Sequence, residues 1–262
     1  MDGDYTRGVR RACGGHAGAC GHRPLPASEL RRSILVFYGE RATRTTVFDC
    51  DLHTHSRFFH RAPGFAAGYD PHGVRATLTV ARRRGLDGVA VTNHDFFRRD
   101  TLVSDACIPG IEISTTAGHL LVIGPNPPER TQAGTLSPEA AVELAHRHDC
   151  VAIVAHPFRN SRLRESDADF DAIEINGKHP EHRKRIRRLA SDRGLPVVGG
   201  SDAHFPFEVG RLSTRLDIDR LTPEAVVEAI RDGRVEPVVR DGRLVRALGS
   251  VYANVHRLRG HL

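Results

Sequence analysis

From Val47 onward, short apolar runs alternate with stretches whose apolar residues recur at helical spacing, the rhythm of an α/β sheet or barrel. The apolar runs predict strands at Val47–Leu52, Gly88–Thr92, Ile108–Ser114, His119–Ile123, Val151–Ala155, Ala172–Ile175, Val197–Gly200, Gly210–Leu216 and Val235–Val239. Helices are expected between them at Pro71–Arg84, Pro138–His148, Pro180–Arg193 and Pro223–Asp232. Each opens on a proline, whose fixed φ and missing N–H suit a first helical turn. Asp70, Ser137 and Thr222 precede three of them as N-caps, and His179 precedes the fourth.

Residues 1–45 break this rhythm. They are rich in Gly, Arg, Cys and His, carry Pro24 and Pro26, and hold one short apolar stretch, Ile34–Tyr38. A poorly ordered extension is expected there, followed by one domain over residues 46–262. The spacing of Cys13, His16, Cys20 and His22 fits no common zinc finger.

Composition narrows the setting. An apolar content of 39% supplies a core for a domain of this length. No run reaches the roughly 18 apolar residues of a membrane span, and no basic-then-apolar leader opens the chain, so a soluble cytoplasmic protein without membrane contact is expected. Five scattered cysteines, an odd number, argue against a disulfide scaffold, and Cys50, Cys107 and Cys150 read as small buried apolar residues. The excess of 38 Lys+Arg over 32 Asp+Glu gives a weak bias toward anionic partners. The 16 histidines change the picture more.

Many of those histidines stand where strands should end. Asp51-Leu-His53-Thr-His55-Ser56 follows the first apolar run and Gly200-Ser-Asp202-Ala-His204 follows the seventh. Residues two apart on a strand share a face, so each pair can aim two ligands into one cavity. His94, Glu112, His119 and His156 lie at the ends of intervening runs. Imidazole and carboxylate ligands together suit zinc, manganese or iron. At one barrel mouth they can hold two or three divalent ions, with Glu112 as bridge, and such ions activate water for hydrolysis. Arg159, Lys178 and His179 follow strands at the same mouth and are candidate substrate-binding residues.

Taken in order, Asp51-x-His53-x-His55-Ser, Gly85-Leu-Asp-Gly-Val-Ala-Val-Thr-Asn-His-Asp95, Gly110-Ile-Glu112, Val154-Ala-His156-Pro and Gly200-Ser-Asp-Ala-His204 resemble the motifs of the polymerase and histidinol phosphatase (PHP) superfamily, over about residues 47–240. The resemblance implies a distorted seven-stranded, TIM-like β/α barrel and a metal-dependent phosphoesterase. It implies one ion on His53, His55, Glu112 and Asp202, a second on Glu112, His119 and His156, and a third on His94 and His204. The family's third ion gains an aspartate from a Ser-Asp-Gly sequence; this chain has Phe59-His60-Arg61 there, making His60 the candidate replacement. The usual Thr-Asp-His reads Thr92-Asn93-His94, a change expected to alter a hydrogen bond rather than remove a ligand.

The expected activity is hydrolysis of nucleotide or short-RNA phosphate esters by metal-activated water at a di- or trinuclear centre, with no obligatory protein partner. The alternatives are a small-metabolite phosphatase of the histidinol-phosphate type and a non-catalytic nucleic-acid-binding or regulatory domain. An amidohydrolase with a lysine carbamate bridge is less favoured, because Glu112 fills the bridging place. The run Arg183, Lys184, Arg185, Arg187, Arg188 reads as a solvated helix face before it reads as a polynucleotide track. The pairs Phe58-Phe59 and Phe96-Phe97 suit base stacking and loop packing equally.

Overall fold

The structure, a computed structural model, describes residues 46–56 and 63–240, with 63–70 as backbone alone. The proposed extension over 1–45, His60 and the Phe58-Phe59 pair lie outside these residues. The strands are β1 (Val47–Thr54), β2 (Gly88–Val91), β3 (Cys107–Ser114), β4 (His119–Ile123), β5 (Val151–Val154), β6 (Ala172–Asn176), β7 (Val197–Gly200), β8 (Leu212–Asp217) and β9 (Val235–Val239). The helices are α1 (Pro63–Arg83), α2 (Pro138–Arg147), α3 (Arg183–Arg193) and α4 (Pro223–Arg231).

Among the described residues one sheet runs β7-β6-β5-β4-β3-β2-β1-β8-β9, the nine strands that the apolar runs predict and two more than the seven-stranded barrel implied by the resemblance. The surplus lies in β8 and β9, which add antiparallel beyond β1. The sheet is also mixed. β1, β2 and β3 pair in parallel, as do β5, β6 and β7. Between these groups β4 is antiparallel to both neighbours. Only Thr115–Gly118 separates β3 from β4. That is a hairpin connection, far too short for the crossover a parallel pair needs.

The sheet curls into a barrel. One apolar cluster draws Leu52 from β1, Ala90 from β2, Ile108 from β3, Leu121 from β4, Ile153 from β5, Ala172 from β6, Val198 from β7 and Leu216 from β8, and closes on Val226, Ala229 and Ile230 of α4. Side chains from eight strands meet in one cluster only if the sheet encloses it, and α4 plugs one end. A second cluster packs α2 and α3 outside, through Val142, Ala145, Ile186 and Ala190.

The edge strand β7 closes onto β1 and β8 without a full ladder. Thr214 Oγ1 accepts from the Gly199 N–H and donates to the Gly199 carbonyl, both at 2.8 Å. A Cβ on Gly199 would stand 2.5 Å from the Ser213 carbonyl oxygen, and one on Gly200 would stand 2.5 Å from both His53 Cβ and Glu174 Oε1. Glycine is therefore required where the barrel seam passes the site.

Two helix starts follow the capping rules. Ser137 and Thr222 accept from the N–H groups of Ala140 and Ala225, each at 3.2 Å. α1 is instead already helical at Pro63 and runs through Pro71, so Asp70 lies inside the helix rather than before it. Before α3, Pro180–His182 forms a single 3₁₀ turn and His179 makes no side-chain cap.

Candidate metal centre

Period-two geometry carries the apolar plug upward into a polar layer. Glu112 follows Ile108 by four residues on β3, Glu174 follows Ala172 by two on β6, and Gly200 follows Val198 by two on β7. Because β4 runs the other way, its first residue, His119, reaches the same mouth two residues before Leu121. On β1 the register against β2 shifts between Asp51 and Thr54, an irregularity at His53. Such bulges re-aim side chains. The segment after β7 returns to β1: Ala203 bridges Thr54, the His55 N–H donates to the Ala203 carbonyl at 2.8 Å, and Asp202 and His204 are delivered beside His53 and His55.

Glu112 stands at the middle, wholly buried. Its Oε1 lies 2.8 Å from His119 Nδ1 and 3.1 Å from His156 Nε2. Its Oε2 lies 3.0 Å from His94 Nδ1, 3.2 Å from His55 Nε2 and 3.3 Å from His53 Nε2. Asp202 Oδ1 lies 3.2 Å from His204 Nδ1, 3.4 Å from His55 Nε2 and 3.7 Å from His53 Nε2. His156 and Asp202 hold positive φ of 29° and 54°, a conformation uncommon outside glycine that clusters at functional sites.

The donor set fits divalent ions. Glu112 Oε2 is buried and accepts no hydrogen bond, although three imidazole nitrogens surround it. His53 Nε2 and His55 Nε2 face each other at 3.2 Å, an approach of lone pairs that needs a proton or a cation between them. Three groups have ligand atoms close enough to share an ion: His53, His55 and Asp202; His94, Glu112 and His119; and His55, His94 and His204. Here His94 joins Glu112 and His119, a grouping that differs from the one implied by the motifs.

Protonation preferences divide the cluster. Burial pushes His55, His94 and His204 below the ordinary histidine range, toward the neutral ring that ligates metal. Burial acts on His53 in that direction too, but Glu174, Glu112 and Asp202 outweigh it and raise His53. For Asp202, burial alone would raise the carboxyl; Lys178 and His53 reverse this and hold it well below the usual range. In Glu112 the surrounding histidines, led by His94 and His53, likewise overcome burial.

Three carboxylates absent from the expected ligand set organise it. Glu174 Oε1 accepts from His53 Nδ1 at 2.8 Å, leaving Nε2 facing Glu112, and Glu174 Oε2 accepts from the His156 N–H at 2.9 Å. Asp51 accepts from the Ser201 and Gly210 N–H groups at 2.9 and 2.7 Å, tying β1 to both sides of the Asp202 segment, and burial pushes its carboxyl up to about 6. Glu208 accepts from the His204 N–H at 2.9 Å. Asn93 accepts from the Ser56 N–H and donates to Ser56 Oγ, both at 2.9 Å, so it anchors the chain after His55. The signal for Glu174 was an acid inside the apolar run Ala172-Ile-Glu-Ile.

A cavity of about 500 Å³ opens over the cluster, lined by His94, Glu112, His119, His156, Asp202 and His204 together with Arg159, Asn160, Arg162 and the Thr115–Gly118 hairpin. Arg159 Nη1 lies 3.2 Å from Asp202 Oδ2, and Lys178 Nζ lies 3.4 Å from Asp202 Oδ1. His179 turns instead to Glu181, at 3.2 Å. Phe97 is buried in the core, and Phe96 lies against the Arg130 guanidinium. No helix among the described residues is long and apolar enough to cross a membrane.

Residues 180–235 match the family described as PHP-associated. An uncharacterized protein of Methanocaldococcus jannaschii is 28% identical over 139 residues, 48% of this chain and 79% of its own. Among solved structures, PsfC from Pseudomonas syringae PB-5123 superposes with a TM-score of 0.64 at 18% identity, over 80% of this chain and 98% of PsfC. A two-domain protein of Bacteroides vulgatus, described as containing a predicted PHP-like metal-dependent phosphoesterase, gives 0.50 at 22% identity over 75% of this chain and 66% of that one. The lesion-specific endonuclease EndoQ of Pyrococcus furiosus gives 0.50 at 19% identity over 73% and 58%.

Proposed function

We propose that the chain is a PHP-type metal-dependent phosphoesterase acting on nucleotide or short nucleic-acid phosphate esters, a reading supported by its match to the PHP-associated family over residues 180–235 and by its likeness in fold to a predicted PHP-like phosphoesterase. The observation that carries this reading is Glu112: a buried carboxylate with five histidines around its two oxygens, at the floor of a cavity. His53, His55, Glu112 and Asp202, with His94, His119, His156 and His204, are the proposed ligands. Divalent ions held there supply a Lewis acid that polarises phosphoryl oxygens and lowers the pKa of water.

The protein's own part is to orient and to neutralise. Glu174 fixes the His53 ring so that Nε2 faces the cluster. Arg159 and Arg162 in the cavity lining give an anionic ester its counter-charge. The cavity volume lies in the range of small-ligand sites, enough for a nucleotide or a strand end. The endonuclease among the similar folds supports a nucleic-acid ester over a small metabolite.

The test is product analysis with manganese-loaded protein, a 5′-phosphorylated oligoribonucleotide and a panel of phosphomonoesters, with His53→Ala as the blank. Mononucleotide release that His53→Ala and Asp202→Ala abolish is expected. Inorganic phosphate from monoesters alone would make it a metabolite phosphatase. Hydrolysis at the wild-type rate in either variant would overturn the ligand assignment.

A further inference from the structure

We propose that Lys178 and Arg159 form a metal-responsive anion clamp, paired with Asp202 until a divalent ion takes over that carboxylate and then turned toward the substrate phosphate. The proposal rests on the metal-site reading above, but its first readout is metal affinity rather than hydrolysis.

Asp202 is claimed from two directions. Its Oδ1 faces the imidazole pair, His55 Nε2 at 3.4 Å and His53 Nε2 at 3.7 Å, and the same oxygen faces Lys178 Nζ at 3.4 Å. Arg159 takes the other oxygen at 3.2 Å. His204 Nδ1 completes the set at 3.2 Å from Oδ1, and Lys178 Nζ also lies 2.9 Å from that nitrogen. A carboxylate only 1% exposed needs compensating charge, and the two cationic side chains provide it. An ion held by His53, His55 and Asp202 would bring a second positive charge to the oxygen Lys178 already occupies. Like charges a few ångströms apart in a poorly solvated site repel strongly, so ion and ammonium compete.

The displaced side chains have somewhere to go. Apart from the contacts of its Nζ with Asp202 and His204, Lys178 is held at its backbone, where its N–H donates to Asn176 Oδ1 at 2.9 Å, and its four-carbon stem can pivot about that anchor. The Arg159 side chain is 43% exposed and lines the cavity. Once Asp202 is neutralised by the ion, both cations lack a counter-charge, and a phosphate in the cavity supplies one. Metal and anion should therefore strengthen each other's binding, by the same factor in either direction.

This differs from two simpler roles. If Lys178 were a fixed phosphate ligand, its removal would weaken anion binding and leave metal affinity alone. If it were only a structural ion pair, its removal would lower thermal stability without tightening metal binding. The test is calorimetric titration of the chelator-stripped full chain with Mn²⁺ in anion-poor buffer, for wild type, K178M, R159M and K178R, repeated with inorganic phosphate. K178M should bind Mn²⁺ about tenfold tighter than wild type. Phosphate should tighten Mn²⁺ binding to wild type by about fivefold or more, and by clearly less in K178M. K178R should behave as wild type. R159M, altered at a more exposed side chain, carries the test if K178M does not fold. Unchanged or weaker Mn²⁺ binding in the folded methionine variants would overturn the clamp. Intact coupling in a protein that hydrolyses no ester would support the clamp and sink the hydrolase reading instead.

Discussion

Glu174 touches no candidate ion group except through the rings and backbone it holds. One oxygen takes the His53 Nδ1 proton and the other takes the His156 N–H, so a single buried side chain fixes a tautomer on β1 and a strained backbone after β5. In E174Q the amide must offer NH₂ to one of these two donors, whichever way it turns. A folded E174Q is expected to lose about ten- to a hundredfold in Mn²⁺ affinity. Titration of the stripped protein measures this, and wild-type affinity would dismiss the positioning role. At the same scale, burial pushes the Cys50 and Cys107 thiols up and the Cys150 thiol up to about 11. At pH 8 about one Cys150 in a thousand is thiolate. In a C13S/C20S variant these three thiols should therefore resist Ellman's reagent in native protein and react fully in denaturant. Rapid native reaction would contradict their burial.

Elements explain what the sequence could and could not announce. Ligands separated by one residue beside an apolar run are visible in the chain, because the period of a strand is short and local. Strand direction is not: the run His119–Ile123 has the same apolar pattern whichever way it points, and only the four-residue link makes it antiparallel. The described residues are already helical at Pro63, so Pro71 stands inside α1 and Asp70 lies within the helix rather than before it. Glu174 stayed hidden because its partners lie 121 and 18 residues away. The caps that do form are testable: S137A should cost about 1 kcal/mol in chemical denaturation. The seam is less forgiving. A methyl on Gly200 must displace His53 Cβ and Glu174 Oε1 together, so G200A should destabilise by about 1–3 kcal/mol and weaken Mn²⁺ binding as well. G200A with full metal affinity would mean that the seam can relax without moving the site.

At the scale of the molecule, the barrel divides into an apolar plug closed by α4 and a polar layer in which Asp51, Glu112, Glu174 and Asp202 are all buried. The plug was legible as apolar runs. The polar layer was legible only where an acid or histidine marked a strand end, because burial of a charge is decided by the closing of the sheet. Such a layer makes ion binding a folding term, since the ligands converge only in the native barrel. Ions that bind the folded chain alone stabilise it by about 2.7 kcal/mol per site at a hundredfold excess over Kd. A domain of this size gains roughly 2–4 °C in Tm per kcal/mol. Saturating Mn²⁺ should accordingly raise the Tm of chelator-stripped protein by about 5–10 °C for each site filled. Calorimetry of wild type, H53A and E112A measures it, and both variants should lose most of the increment, E112A the more because that carboxylate belongs to one ligand group and faces histidines of the other two. A melting curve indifferent to Mn²⁺ would mean that the barrel holds its buried carboxylates by hydrogen bonds and cationic side chains alone, and the proposed centre would fall with it.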